Sequence, residues 1–311
     1  MRGTVCYATE QGLGRLAKSF IDNGIIDKIL IVPHSKHKTM DWYGDKGRPF
    51  LKENYEWFLL DLDEIIFFEI PFDWNLVLLA RDLGIKTSLM PDECTTYPLR
   101  YEFDRILCPT LLENTYNLDK KCLNITVPVD VEWKLRKKAV NFIHNAGHGG
   151  LGGRNGTNEL IQAMKYVKSP IKLTIRTQTN EYKTDDPRVN IVQGTIPFED
   201  LYKEGDVFIF PDKFAGLSLP MQEAFSAGML VMSTNRFPTN TWLPLEPLID
   251  VYDTRIDKIG IEFEYSIIRP IDIASKIDEW YNSDISNYSL MGKEWSIKNT
   301  WSKLNELLLQ E

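Results

Sequence analysis

The 311-residue sequence is poor in the residues that build metal centres and disulfide frameworks. It has four cysteines and four histidines, and no C-x-x-C pair. Cys6, Cys94, Cys108 and Cys122 are scattered, whereas a zinc site needs its ligands in tight local pairs. They read as free thiols buried in strands, and no metal is expected. No apolar run approaches the roughly 20 residues that span a bilayer. The opening Met1-Arg-Gly-Thr-Val-Cys-Tyr7 enters a strand-like run at once, which leaves no room for a signal peptide and makes a cytoplasmic location the expectation. Positive charge is not in excess: 36 Lys and Arg stand against 44 Asp and Glu, a net −8. A general electrostatic footprint for a phosphate backbone is therefore absent, although a local basic cleft stays open. No internal repeat or low-complexity tract is evident.

What the sequence does have is ordinary globular material. It is 43% hydrophobic, with eight Trp, thirteen Tyr and fifteen Phe, ample apolar surface to bury. The length suits two domains of about 150 residues. Short apolar runs alternate with amphipathic stretches, the pattern of βα units and parallel sheets. In the first half, strands are predicted over Thr4–Ala8, Lys28–Pro33, Glu64–Glu69, Lys86–Met90, Arg105–Pro109 and Asn124–Pro128, with helices over Leu13–Asn23 and Asn75–Leu83. In the second half they fall over Val140–His144, Ile171–Thr177, Asn190–Gln193, Asp206–Pro211 and Met229–Thr234, with helices over Thr157–Val167, Leu219–Ala227 and Ile271–Tyr281. Leu290, Trp295, Ile297, Trp301, Leu304 and Leu308 keep a helical repeat through Tyr288–Leu309. The boundary is placed within Pro128–Arg136. The expected organisation is thus an α/β chain of two Rossmann-like doubly wound domains, 1–130 and 131–285, with 286–311 packing back on the first. In such sheets the carboxyl ends of the strands face ligand, here across a cleft.

The strongest chemical signal runs from Asp206 to Gly228. A buried strand ends at Pro211, a short loop turns at Gly216, and a helix follows. Backbone amides of Gly216, Leu217, Ser218 and Leu219 at the helix start form an anion site with the positive end of the helix dipole. Glu223, one turn in, is placed to accept hydrogen bonds from a ribose diol. The segment Ala215-Gly-Leu-Ser-Leu-Pro-Met-Gln-Glu-Ala-Phe-Ser-Ala-Gly228 resembles the donor-binding motif of the group 1 (family 4) glycosyltransferases of the GT-B fold, E-G-F-G-L-P-x-x-E-A-x-A-x-G. Gly216, Pro220, Glu223, Ala224 and Gly228 match in place. Ala215 replaces the first glutamate, which the family associates with the transferred sugar, and Ser218 replaces the second glycine. Asp212 is the candidate to supply the missing carboxylate.

Three further segments extend the resemblance. His144-Asn-Ala-Gly-His-Gly-Gly-Leu-Gly-Gly153-Arg154-Asn-Gly156-Thr is similar to the family's glycine-rich loop, in which a basic residue neutralises the diphosphate. Arg154, with Gly153 beside it, is the local candidate, since a guanidinium pairs phosphate oxygens and keeps its charge. The family's turn toward the nucleobase corresponds to Gly194, Thr195 and Ile196. Gly12-Leu-Gly14 follows the first strand, and the resemblance implies that this loop touches donor phosphate or acceptor. Glu69 and Asp92-Glu93 follow strand candidates and suit acid, base or acceptor roles, or merely cap helices. His34, His37, His144 and His148 are candidate ligand contacts or structural residues. Nearly the whole chain also looks like glycosyltransferases encoded by bacteriophages.

The resemblance implies transfer of a sugar from a nucleotide diphosphate-sugar, UDP favoured, to a hydroxyl acceptor with retention of configuration. No further cofactor is expected. The implied acceptors are a cell-envelope glycan or a hydroxymethylated DNA base. Catalytic candidates are Arg154, Glu69 and Asp212. One rival, motivated by Ala215, is a protein that binds donor but turns it over weakly. The other, a nicotinamide-dependent oxidoreductase, rests only on Gly12-x-Gly14, an incomplete fingerprint.

Overall fold

The computed structural model describes residues 1–10, 12–35, 37–91, 103–110, 122–148, 153–214, 216–241, 246–259 and 261–310. Expectations attached to Asp92, Glu93, Cys94 and Ala215 lie outside these residues. The chain divides into two units. One comprises Met1–Pro128, Ile259–Ile261 and Trp301–Glu311; the other comprises Val129–Lys258 and Glu262–Thr300.

The first unit contains β1 (Arg2–Tyr7), α1 (Gly12–Asp22), β2 (Lys28–Val32), β3 (Gly47–Pro49), α2 (Tyr55–Leu59), β4 (Glu64–Phe68), α3 (Trp74–Asp82), β5 (Lys86–Met90), β6 (Arg105–Cys108) and β7 (Cys122–Asn124). Its seven strands run in the order β3-β2-β1-β4-β5-β6-β7, every pair parallel. All five residues of β4 are buried, as expected of an apolar run in a sheet covered on both faces. Val5, Ile65, Phe67 and Leu89 pack on Phe58, Leu76 and Val77 on one side. On the other, Phe20 of α1 meets Phe68 edge-on at 5.0 Å.

The second unit contains β8 (Asn141–Gly147), α4 (Thr157–Ala163), β9 (Lys172–Thr177), β10 (Val189–Gln193), β11 (Val207–Phe210), α5 (Leu219–Ser226), β12 (Leu230–Thr234) and β13 (Leu248–Ile249). They are followed by β14 (Asp253–Ile259) and β15 (Ile261–Ile267), which form a separate two-stranded sheet, then α6 (Pro270–Trp280) and α7 (Ser286–Lys298). The six-stranded sheet has the order β10-β9-β8-β11-β12-β13, again parallel throughout. Each sheet therefore reverses its strand order once, between β1 and β4 and between β8 and β11. The doubly wound α/β class predicted from the alternation is the one observed.

Several expectations are corrected. The strand placed at Asn124–Pro128 lies earlier, at β7, and α4 stops four residues short of Val167. The final helical repeat is broken at Asn299–Thr300 into α7 and α8 (Trp301–Leu309). α8 belongs to the first unit, but α7 belongs to the second, so the segment 286–311 is not one piece. The repeat misleads because α7 buries its small residues, Ser289 and Gly292, while Leu290 and Ile297 are exposed. A helix that approaches closely through small side chains carries no apolar stripe to read.

α8 is fastened by charge as well as by packing. Trp301 sits edge-on to Phe20 at 5.3 Å. At the amino ends of the strands buried Glu64 holds two guanidiniums, accepting from half-buried Arg2 at 3.1 Å and pairing with buried Arg105. Arg2 also donates to Asn305 at 2.7 Å, and Arg105 to the Leu308 carbonyl at 3.4 Å. One carboxylate thus links β1, β4, β6 and α8. Removing one partner of a buried ion network strands the others, at about 3–5 kcal/mol. Glu64→Ala is expected to lower the unfolding free energy by that amount in urea titration, and a loss below about 1 kcal/mol would show the network to be solvated.

Candidate functional site

The loops leaving β8 and β11 meet where strand order reverses, the place at which an open α/β sheet leaves a crevice. Three contacts lace them together. Lys213 N–H donates to the Arg154 carbonyl at 2.8 Å. Lys213 Nζ pairs with Glu159 Oε1 of α4 at 2.5 Å. Gly156, in the left-handed region at φ 68°, lies against Pro211, and a Cβ there would stand 2.1 Å from the Pro211 carbonyl oxygen. Only glycine tolerates both the dihedral and the approach.

His144 clamps the same junction from below. Its ring is fully buried, with Nδ1 2.8 Å from the Ile209 carbonyl of β11 and Nε2 2.8 Å from Thr157 Oγ1 in the first turn of α4. A carbonyl can only accept, so Nδ1 carries the proton and Nε2 accepts from Thr157. Burial pulls the imidazole pKa down to about 4, against a smaller opposing effect of the Ile209 bond. His144 is therefore a neutral structural link; the ligand-contact reading of this residue is corrected.

Above the clamp, the structure brings two of the sequence motifs together. The Arg154 guanidinium carbon stands 5.6 Å from the ring centroid of Phe214, on the loop that leads to Gly216 and α5. Gly153, also left-handed at φ 68°, turns the chain into Arg154. In the first turn of α5 Pro220 has no N–H and Met221 N–H donates to the Ser218 carbonyl at 3.0 Å, so Leu219 is the backbone donor left without an intrahelical acceptor. Gln222 steadies the turn by donating to the Leu217 carbonyl at 3.2 Å. Ser218 is strained there: it adopts φ 49° and ψ 56°, and its buried Oγ has no hydrogen-bond partner among the described residues. Such strain costs about 1–2 kcal/mol and concentrates at working sites.

Glu223 lies half-buried on α5, and its Oε2 accepts from Tyr202 Oη at 2.6 Å. Burial and then the Glu223 charge push the Tyr202 phenol well up, so it stays a donor. Gly194, Thr195 and Ile196 follow β10 at the edge of the same sheet, two strands from the reversal, with Gly194 N–H bonded to the Thr177 carbonyl at 2.9 Å.

Asp212 does not take the role predicted for it. Its carboxylate is fully buried and accepts from Ser233 Oγ at 3.0 Å and Thr239 Oγ1 at 3.4 Å, with Arg236 at 3.5 Å. Burial raises its pKa despite these partners. It ties the end of β11 to β12 and to the segment that follows it, and is no stand-in for a carboxylate facing ligand. Sequence reasoning missed Lys213 and Tyr202. A lysine between Asp212 and Phe214, just past the apolar strand Val207–Phe210, was the available signal for the first. Tyr202 shows only through its contact with Glu223, 21 residues away.

Gly12, Gly14 and Glu69 belong to the first unit. Gly14 packs against Thr9, where a Cβ would meet backbone oxygen at 2.3 Å, so a glycine is required at this turn into α1. A Cβ on Gly12 would meet nothing within 4 Å. Glu69 leaves β4 at the other reversal with φ 62°.

The chain matches no family model and no curated protein in sequence. Its fold does match solved structures along nearly its whole length. HepE (Alr3699) of Anabaena, solved with UDP and glucose, superposes with a TM-score of 0.67 at 10% identity, covering 99% of this chain and 98% of that one. The lipopolysaccharide outer core galactosyltransferase WaaB gives 0.64 at 11% identity, with 100% and 99% covered. Sucrose-phosphate synthase of Thermosynechococcus elongatus gives 0.63 at 13% identity, with 99% and 97% covered. The fold is therefore GT-B.

Among the described residues no helix is long and apolar enough to cross a membrane, and no group of three or more His, Cys, Asp or Glu is placed to hold a metal. The titration of His144 has a measurable consequence. Between pH 6.5 and 4 the unfolded chain binds this proton and the native chain does not, so stability falls as pH falls through that window, by about 3 kcal/mol at pH 4. His144→Gln is less stable than wild type at pH 7, and the gap is expected to close by that amount at pH 4 in urea titrations. A gap independent of pH would refute the buried neutral imidazole.

Proposed function

We propose that the chain is a glycosyltransferase that takes a nucleotide diphosphate-sugar in its second unit and passes the sugar to a hydroxyl acceptor. The observation that carries this reading is the convergence at the β8/β11 reversal. Arg154 stands over Phe214 on the loop that opens into α5, with Glu223 one turn inside the helix. A cation, backbone donors and a helix dipole gathered at one strand end suit a diphosphate. Glu223, oriented by Tyr202, suits a ribose diol, and Gly194–Ile196 suit the base. The GT-B fold and the UDP and UDP-glucose held by HepE support a UDP-sugar as the donor.

In the proposed reaction the bond from the anomeric carbon to the diphosphate breaks and the bond to the acceptor oxygen forms. The leaving diphosphate takes the acceptor proton, so no side-chain base is required. Retention of configuration follows from the family likeness of the 215–228 segment. What the protein contributes is stabilisation of charge growing on the diphosphate. Arg154 and the amides of the Gly216–Leu219 turn supply it, with Lys213 fixing the loop through Glu159. The likeness to bacteriophage enzymes rests on the sequence strings alone, and both a glycan and a hydroxymethylated base remain within the acceptor class.

The test is a donor screen with UDP- and GDP-sugars against a broad acceptor panel, read as nucleotide release and product mass. Arg154→Ala is expected to lower kcat at least tenfold, and near-normal turnover would sink its assignment. Glu223→Gln is expected to raise the donor KM by about tenfold, the loss of one charge-assisted hydrogen bond at about 1.4 kcal/mol. Nucleotide binding with no turnover across the panel would favour a donor-binding protein instead.

A further inference from the structure

The two-stranded ribbon of β14 and β15 stands outside the six-stranded sheet, yet it is fastened to the loop that leaves β11. Ser266 N–H donates to the Lys213 carbonyl at 2.8 Å. In β14, Asp253, Thr254, Arg255 and Ile256 are all exposed, whereas β15 buries Phe263 and Tyr265, each 6% exposed. Both rings meet Phe214, with centroids at 4.3 Å and 43° and at 5.6 Å and 44°. Phe214 is itself fully buried, and its ring centroid lies 5.6 Å from the Arg154 guanidinium carbon. An isolated two-stranded ribbon is marginal in water, so this one depends on packing elsewhere in the fold. Phe263 and Tyr265 bring that packing to the ring beneath Arg154.

Charge follows the same line. Lys213 Nζ and the Arg255 guanidinium carbon lie 5.6 and 4.4 Å from the Tyr265 ring centroid. Lys213 is paired with Glu159, and Arg255 with Asp257 at 3.2 Å. Three cations thus stand over two neighbouring rings, each attracted by the quadrupole of the face beneath it. An arginine side chain has about 2 kcal/mol of rotamer entropy to lose when it is ordered. A buried ring with two further rings behind it fixes the surface on which the Arg154 guanidinium rests. Part of that loss then precedes ligand binding, which is what preorganisation means here. The return is large, because a misplacement of about 1 Å costs on the order of a hundredfold in rate.

We infer that Phe263 and Tyr265 are positioning residues: they hold the Phe214 ring and, through it, set the Arg154 guanidinium for the donor's diphosphate. The inference takes its meaning from the proposed donor site, and the test separates the two. On the full chain, the Kd of UDP is measured by calorimetry, and that of uridine, which lacks the diphosphate, by NMR titration. Arg154→Ala is expected to weaken UDP by about tenfold or more and Phe263→Leu by about fivefold or more, each leaving uridine within about twofold. The double variant should bind UDP within about twofold of Arg154→Ala, because a residue that acts only through Arg154 has nothing left to move. Phe263→Met fills the space without a flat ring. It should match Phe263→Leu, which guards against collapse around the smaller side chain. Equal weakening of UDP and uridine, additive losses in the double variant, or UDP binding indifferent to Phe263 would overturn the inference. The Arg154 Nε–Hε NMR signal, assigned by its absence in Arg154→Lys, reads the same link with no ligand present. It is expected to shift in Phe263→Leu, and an unmoved signal would overturn the link. If the wild type binds neither UDP nor uridine, the donor reading falls, and that signal decides whether the rings position Arg154.

Discussion

Everything that positions chemistry in this chain depends on one topological constraint, the reversal of strand order in a parallel sheet. At β8/β11 and at β1/β4 the loops from neighbouring strands turn to opposite faces and leave room between them. A crevice of this kind collapses or drifts unless its walls are pinned. The His144 bridge pins the β8/β11 wall, joining a strand, its neighbour and the helix that closes the loop through two 2.8 Å hydrogen bonds. A neutral imidazole does this without placing a buried charge beneath the site. In the first unit the pinning is ionic and sits at the opposite ends of the strands, where Glu64 gathers Arg2 and Arg105. The carboxyl ends are left for binding.

Charge is distributed accordingly. The loops beside α5 carry two cations, but they are not equivalent. Lys213 is buried and committed to Glu159, so its charge is largely spent on holding the two loops in register. Arg154 is half-buried and lies over an aromatic face, an arrangement that orients a guanidinium while neutralising little of its charge. Preorganised donors of this kind act because no reorganisation is needed when charge grows on a ligand.

How much of this was legible in the sequence follows from how local each signal is. The βα alternation and the strand-turn-helix string ending at Gly228 are local patterns, and the fold class and the α5 turn followed from them. The β15 strand was legible as well, since exposed Glu262 and Glu264 alternate with buried Phe263 and Tyr265, which meet the Phe214 ring at 4.3 and 5.6 Å; its partner β14, with Ile256 68% exposed, carries no such pattern. Asp212 was misread for a related reason. A carboxylate at a strand end points to either face according to pleat, and only Ser233, Thr239 and Arg236, more than twenty residues away, decide which. The meeting of Tyr7 with the rings of His34 and Phe72 joins residues from three strand ends, and no spacing rule anticipates it.

Two departures from the family motif act on one turn, and their physical consequences differ. Ser218 puts a side chain where the motif has glycine, and the backbone keeps its left-handed conformation regardless. A turn that holds this geometry against about 1–2 kcal/mol of strain is constrained by something other than its own sequence, and under the proposed function that constraint is the alignment of amides toward diphosphate. Ala215 removes a carboxylate, and Asp212 cannot restore it from within the core. Of the described carboxylates on these loops and helices, Glu159 is bound to Lys213 and Glu223 to Tyr202. Under the proposed function, grip on the diphosphate and ribose is retained while the motif's polar contact to the sugar is given up. Under this reading the identity of the transferred sugar is set by groups outside the 215–228 string, and the string itself determines only that a nucleotide is held.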